Sequence, residues 1–120
     1  MAGPLVVIVA TDSVLRDSIV FLLASEKITG LAFSDLETAF SSNHAKAAIC
    51  AIIDESVFKG GYATFTPRLA QFGKPIVFLT SVIGHVLPLP LVVPLTKPNM
   101  GRPLVDLVRA MVRDAPRSNT

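Results

Sequence analysis

The distribution of hydrophobic residues divides the chain into short apolar runs that are separated by polar turns. One run, Ala47 to Ile53, leads without interruption into the carboxylate of Asp54. A continuous apolar run of this length is typical of a strand covered on both faces at the centre of a parallel sheet. An aspartate after a strand is often only a turn former or a helix cap, but open α/β sheets also bind ligands at this end of their strands. Asp54 is therefore the first candidate site residue.

Four further apolar runs predict strands, and helical periodicity lies between them. The strands are expected at Leu5 to Val9, Leu31 to Phe33, Pro75 to Leu79 and Leu91 to Leu95. Apolar residues recur at helical spacing in the first and last helices, as Leu15, Ile19, Leu22 and Leu23 and as Leu104, Leu107, Val108 and Met111. Strands that alternate with helices predict an α/β fold with a five-stranded parallel sheet, and right-handed crossovers place helices on both of its faces.

Capping residues predict where the helices begin. Three starts are expected: Asp12 or Ser13 as the cap of the first helix, Ser34 with Glu37 as a capping box, and Thr66 as a cap followed by a first-turn Pro67. Arg16 lies away from the apolar stripe of the first helix, so it is expected on a solvated face. The polar run Ser41 to Asn43 is expected to end the second helix, and His44 beside it is expected to be exposed.

The connection between the fourth and fifth strands breaks the alternation. It contains Gly84, Pro88 and Pro90 where a helix would be due. Proline in a helix interior costs about 3 kcal/mol and biases the residue before it towards an extended conformation. We therefore expect this fourth crossover helix to be short or missing, and the connection to be irregular.

Length and composition bound the remaining possibilities. The 120 residues are expected to form one domain, 1–120, with a frayed tail at 114–120. Net charge is only +2, and no cluster of Lys and Arg is interleaved with aromatic residues, so direct nucleic-acid binding has little support. No apolar segment reaches the roughly 20 residues that a membrane helix needs. The single Cys50 lies inside an apolar run, which indicates a buried thiol in a reducing, cytoplasmic compartment.

Chemically active side chains gather at the carboxyl ends of the predicted strands, which meet at one edge of a parallel sheet. Asp54 ends the central strand, Thr80 follows the next one, and Lys97 follows the last. The carboxylate can act as a nucleophile, and the hydroxyl and ammonium groups can bind the oxygens of a transferred group. This combination is suited to phosphoryl transfer.

Over nearly its whole length the chain resembles the receiver domain of bacterial response regulators. The likeness rests on Asp54 at a strand end, Thr80 after Val77-Phe78-Leu79, Lys97 followed by Pro98, and Arg16 after the first strand. The resemblance implies a doubly wound, flavodoxin-like sheet in the order 2-1-3-4-5. It also implies that Asp54 accepts a phosphoryl group from a sensor histidine kinase, and that Thr80 and Lys97 contact that group.

One part of the receiver pattern is missing. Receivers carry an acidic pair after the first strand, which holds Mg²⁺ together with the phosphoacceptor, whereas this chain has Ala10 and Thr11 at those positions. The metal ligands that remain would be at most Asp54, Asp12 and, by resemblance, the backbone carbonyl of Ser56. Because Mg²⁺ keeps its waters unless carboxylates offset the cost of losing them, we expect no cofactor, or Mg²⁺ bound only weakly.

The sequence therefore favours an atypical receiver, or pseudo-receiver, that takes part in phosphorelay signalling mainly by protein–protein contact, with impaired phosphorylation at Asp54. Its expected partners are a sensor histidine kinase, another signalling protein or a second copy in a homodimer, and no enzymatic activity is expected. One alternative is a working phosphoacceptor in which Asp12, Glu55 or water completes the metal site. Another is an unrelated α/β module that binds a small ligand at the same edge.

Overall fold

Five parallel strands form the centre of the molecule in a computed structural model of the chain, which describes residues 4–58, 65–81, 89–97 and 101–115. The strands are β1 (Leu5–Val9), β2 (Thr29–Phe33), β3 (Cys50–Asp54), β4 (Ile76–Thr80) and β5 (Val92–Thr96). They lie in the order β2-β1-β3-β4-β5, and every neighbouring pair is parallel. The predicted five-stranded α/β sheet in 2-1-3-4-5 order is therefore confirmed.

The central strand β3 is buried along its whole length. Because successive side chains of a strand point to opposite faces, Ala51 and Ile53 pack in the core on one face, while Cys50 and Ile52 pack on the other. This double coverage explains why the strand is a continuous apolar run. Burial also raises the pKa of the Cys50 thiol to about 12, so this cysteine serves as a core residue, as predicted.

Helices cover both faces of the sheet. They are α1 (Ser13–Ala24), α2 (Leu36–Ser41), α3 (Asn43–Ala47), α4 (Thr66–Phe72) and α5 (Arg102–Asp114). The predicted apolar stripes of α1 and α5 pack together on one face, and α2 and α4 cover the opposite face through Leu36 and Leu69. None of the helices in the described ranges is long and apolar enough to cross a membrane.

The starts of α1 and α4 show two kinds of helix entry. Asp12 caps α1 as predicted, since its Oδ1 accepts a hydrogen bond of 2.9 Å from the Val14 amide. The expected cap at Thr66 is wrong, because α4 begins at this residue and its N-cap is Phe65, which makes no side-chain capping bond. Phe65 packs against the core, so apolar contact and the early Pro67 define this start.

The start of α2 also differs from the prediction. Its N-cap is Asp35, whose Oδ1 accepts a hydrogen bond of 2.7 Å from the Thr38 amide, so the expected capping box of Ser34 and Glu37 is wrong. The helix begins at Leu36, whose side chain is buried, so the capping position is that of Asp35. Aspartate caps a helix as well as serine does. Hydrogen bonds to the Asp35 carboxylate, of which that from the Thr38 amide has the largest effect, hold the pKa of Asp35 below its usual value.

Helix α3 lies where the polar pattern predicts only a connection, and the difference has a tertiary cause. Lys74, which follows α4, donates from Nζ to the carbonyls of Ala45, Lys46 and Ala48 at 3.0, 2.7 and 2.6 Å. These bonds satisfy carbonyls that a helix leaves without partners at its C-terminal end. Because α3 takes up positions as far as Ala47, the strand that follows is shorter than the apolar run.

Two predicted segments lie outside the described residues: the irregular connection at 82–88 and the end of the tail at 116–120. Helix α5 continues through Asp114, the first residue of the predicted tail. Strand β4 extends one residue further than predicted and includes Thr80. His44 is exposed, as predicted.

Candidate functional site

The carboxyl edge of the sheet brings together the side chains that the sequence singles out. Asp54 is the last residue of β3, Thr80 is the last residue of β4, and Lys97 directly follows β5. The parallel register places Asp54 opposite Leu79 and Thr80 opposite Thr96, so the three residues lie at adjacent positions along this edge. An aspartate, a hydroxyl and a lysine therefore share one end of the sheet.

Asp54 is almost fully buried, and both of its carboxylate oxygens have protein partners. Its Oδ1 accepts a hydrogen bond of 2.9 Å from the Lys97 ammonium group, and its Oδ2 accepts one of 3.1 Å from the Ser56 amide. Only 3% of the residue is exposed. A buried carboxylate needs such partners because it has lost its hydration. The candidate phosphoacceptor is thus one half of an internal ion pair.

Lys97 is held at this edge by its backbone as well as by its side chain. Its amide donates to the Thr80 carbonyl at 2.8 Å, which continues the pairing of β4 with β5 beyond the end of the strands. Partial burial acts to lower the pKa of Lys97, but the hydrogen bond to Asp54 and the charges of Asp54 and Glu55 outweigh it, so the pKa is raised. The ammonium group is therefore charged at neutral pH.

Glu55 belongs to the same cluster, although the sequence indicates it only as a possible metal ligand. It opens a single 3₁₀ turn, Glu55–Val57, directly after β3. Its Oε1 accepts a hydrogen bond of 3.0 Å from the Thr80 hydroxyl, and its Oε2 accepts from the Ser81 amide at 3.0 Å and the Ser81 hydroxyl at 2.7 Å. Oε2 also lies 3.6 Å from Lys97 Nζ. The hydrogen bond from the Ser81 hydroxyl is the largest of the contacts that lower the pKa of Glu55.

The sequence indicates only in part that Glu55 contacts Thr80 and Ser81. The informative features are an acidic residue directly after Asp54 and two consecutive hydroxyl residues, Thr80 and Ser81, at the end of the next strand. Whether the Glu55 side chain turns towards β4 or towards solvent depends on the 3₁₀ turn that carries it. Ser81 was not among the predicted site residues for this reason.

The end of β1 supplies no carboxylate from the two positions where receivers carry their acidic pair. Ala10 is buried and Thr11 is exposed. The Arg16 guanidinium donates to the carbonyl of Ala10 at 2.7 Å and to that of Thr11 at 3.1 Å. Arg16 is half-buried, so the solvated face predicted for it is only partly solvated. Its long side chain folds back over the start of α1, because these two carbonyls lie beyond the end of the strand and need a donor.

The residues implied as metal ligands have other contacts. Asp12 uses its Oδ1 to cap α1, and Asp54 uses its Oδ1 to bind Lys97. Ser56 meets the site through its amide, and its hydroxyl accepts a weak hydrogen bond of 3.4 Å from the Thr11 amide. Within the described parts of the chain, no group of three His, Cys, Asp or Glu side chains could hold a metal ion. Mg²⁺ demands near-octahedral oxygen coordination, and the Oδ1 atoms of Asp12 and Asp54 are hydrogen-bonded to donors of the protein itself.

Comparison with known proteins finds no protein-family model and no curated protein that matches the sequence. Solved structures do match. The response regulator receiver protein from Burkholderia phymatum is 22% identical, with a TM-score of 0.73 over 96% of this chain and 100% of that one. A two-component response regulator from Clostridium difficile has a TM-score of 0.74 at 16% identity, over 93% of this chain and 98% of its own. The receiver domain of the hybrid histidine kinase CckA has a TM-score of 0.72 at 18% identity, over 90% and 98%.

At these identities the likeness concerns the fold. It covers nearly the whole of both chains in each comparison, and the sheet order and parallel pairing agree with it. The chain therefore has the fold of response-regulator receiver domains.

Proposed function

We propose that this chain is an atypical receiver domain of two-component signalling, which acts mainly through protein–protein contact and in which Mg²⁺-dependent phosphorylation of Asp54 is impaired. The observation that carries the proposal is the 2.9 Å contact between Asp54 and Lys97, next to a β1 end that offers Ala10 and Thr11 in place of two carboxylates. The fold supports the signalling context.

Charge at the sheet edge explains why phosphorylation is expected to be slow. A phosphodonor brings negative charge to a cluster in which, among the described residues, the carboxylates of Asp54 and Glu55 pair with one ammonium group, that of Lys97. Two like charges about 4 Å apart repel by about 4 kcal/mol at the effective dielectric constant near a protein surface. That energy corresponds to roughly a thousandfold in rate if no bound cation offsets it.

Exposed apolar side chains support a role in protein contact. On α1, Val14 is 70% exposed and Phe21 is 78% exposed, and their separation of seven residues places them on the same side of the helix. At the edge strand, Leu91 and Val93 are also exposed. The proposed partner is a sensor histidine kinase or another signalling protein, with a second copy of the chain as the alternative. We also propose that the domain has no enzymatic activity of its own and works in the cytoplasm.

Incubation with acetyl phosphate and Mg²⁺, followed by intact-mass measurement, tests impaired phosphorylation. The double variant Ala10→Asp/Thr11→Asp restores the acidic pair, and we expect it to gain one phosphoryl group at least about a hundredfold faster than the wild type. The gain should require Mg²⁺ and should disappear when Asp54→Asn is added. The matched control is Ala10→Asn/Thr11→Asn, which has similar side chains without the charge and should behave like the wild type.

A rapid, Mg²⁺-dependent mass gain in the wild-type protein that is lost in Asp54→Asn would overturn the proposal. The chain would then be the working phosphoacceptor. A restored variant that keeps its native circular dichroism spectrum but neither binds Mg²⁺ nor gains a phosphoryl group would contradict the explanation by the missing acidic pair.

A further inference from the structure

The carboxylate of Glu55 lies among donors that are arranged to hold an anion. The Thr80 hydroxyl, the Ser81 amide and the Ser81 hydroxyl converge on it at 3.0, 3.0 and 2.7 Å, and the Lys97 ammonium group lies at 3.6 Å. Thr80 is fully buried at the end of β4, so the sheet fixes the position of its hydroxyl. Hydroxyl, amide and ammonium donors that face one point are the groups that bind phosphoryl and other oxyanions.

We infer that Glu55 is a resident anion: its carboxylate fills an oxyanion site formed by Thr80, Ser81 and Lys97 and keeps external oxyanions out of it. This inference deepens the proposed function, on which it rests for the identity of the site, because it names the residue that competes with a phosphoryl group. Lys97 contacts both Asp54 and Glu55. The oxyanion site that Glu55 fills therefore lies directly beside the candidate phosphoacceptor, Asp54.

Charge and space both favour this competition. Among the described residues, the carboxylates of Asp54 and Glu55 and the ammonium group of Lys97 sum to a charge of −1, which repels an incoming oxyanion. Removal of the Glu55 carboxylate brings the cluster to neutrality and leaves its place among the donors open to another acceptor. Three hydrogen bonds, from the Thr80 hydroxyl, the Ser81 amide and the Ser81 hydroxyl, hold the Glu55 carboxylate in this place. The site is therefore filled under ordinary conditions.

Binding of inorganic phosphate, without Mg²⁺, tests the inference. We would titrate phosphate into the wild type, Glu55→Gln and Glu55→Ala, and follow the Ser81 amide by NMR. Phosphate should shift this resonance saturably in Glu55→Ala, with an affinity at least about tenfold higher than in the wild type. Glu55→Gln, which keeps the shape of the side chain without its charge, should bind with an intermediate affinity and guards against loss of the fold.

Two controls locate the bound phosphate. Glu55→Ala/Lys97→Met should lose the gain in affinity, because the ammonium group of the site is removed. Glu37→Ala removes an exposed carboxylate that pairs with Arg68 at a distance from the cluster, and it should bind phosphate no better than the wild type.

Equal phosphate affinity in the wild type and both Glu55 variants would overturn the inference. Phosphate binding by Glu55→Ala/Lys97→Met that is as tight as by Glu55→Ala would overturn it as well. Phosphate binding requires neither a metal ion nor phosphoryl transfer, so the two proposals fail separately. A wild-type protein that is rapidly phosphorylated would contradict the proposed function, whereas Glu55 variants that bind no phosphate would contradict only the role of Glu55.

Discussion

At the scale of single residues, the Lys97 ammonium group links the two carboxylates of the site. It lies 2.9 Å from Asp54 and 3.6 Å from Glu55, and its side chain is 27% exposed against 4% for that of Asp54. Replacement of a buried ion pair by apolar residues is often harmless, but removal of one partner leaves the other charge buried and unpaired. Lys97 is therefore a structural residue as well as a candidate phosphoryl contact.

Removal of Lys97 alone should lower the free energy of unfolding more than removal of both Lys97 and the Asp54 charge. We expect Lys97→Met to lower the free energy of unfolding by about 2 kcal/mol, less than for a fully buried pair because Lys97 is partly exposed. Asp54→Asn/Lys97→Met should recover at least about half of that loss, since the unpaired charge is gone. Urea denaturation at pH 7 measures both values. A Lys97→Met protein within about 0.5 kcal/mol of the wild type would contradict the structural role.

At the scale of secondary structure elements, α3 shows how a distant side chain can create a helix. The helix has five residues, which is too short to be stable by itself in water. Lys74 Nζ binds three carbonyls at its C-terminal end and lies 5.4 Å from the centre of the Phe72 ring. Helix α3 precedes β3 in the chain, whereas Lys74 follows it, so the helix depends on a residue that is distant in sequence.

Loss of these bonds should destabilise α3 specifically. Lys74→Met keeps most of the side chain length but removes all three donors, and we expect it to lower the free energy of unfolding by about 1–3 kcal/mol. Faster hydrogen exchange of the α3 amides should accompany this loss. The matched control is Lys46→Met, an exposed lysine on the same helix, which should change stability by no more than about 0.5 kcal/mol. Equal effects of the two variants would show that Lys74 does not hold the helix.

At the scale of the whole molecule, the sheet separates two apolar layers formed by the described residues. One layer lies under α1 and α5, and the other lies under α2 and α4. Cys50 lies in β3, belongs to the layer under α1 and α5, and has no exposed surface. Its thiol therefore reports on opening of the core as a whole and not on local motion of a loop.

The thiol should react only when the protein unfolds. Burial raises the pKa of Cys50 to about 12, so almost no thiolate is present at pH 8 in the folded state. We expect a disulfide reagent such as DTNB to modify the native protein at least about a thousandfold more slowly than the urea-denatured protein. The rate should rise with urea in parallel with the population of unfolded protein. Similar rates in the native and denatured states would show that the centre of the sheet is accessible.

The sequence by itself determined the parallel sheet and which candidate site residues lie at the carboxyl ends of its strands. Apolar runs of strand length without polar alternation arise when both faces are covered, whereas the strand order 2-1-3-4-5 followed from the resemblance to receiver domains. The positions of Asp54, Thr80 and Lys97 followed, because the end of a parallel strand lies at a known edge of the sheet. These properties depend on local pattern and topology, which are written directly in the order of residues.

Only the tertiary structure decided which contacts the polar side chains make. The Glu55 carboxylate binds Thr80 and Ser81, Arg16 binds the carbonyls beyond β1, and Lys74 completes α3. Each contact depends on the direction of a long side chain, and two of them join positions more than twenty residues apart in the chain. A hydrogen bond is made or lost over less than 1 Å and a few tens of degrees, whereas a hydrophobic pattern specifies only which face of an element is buried.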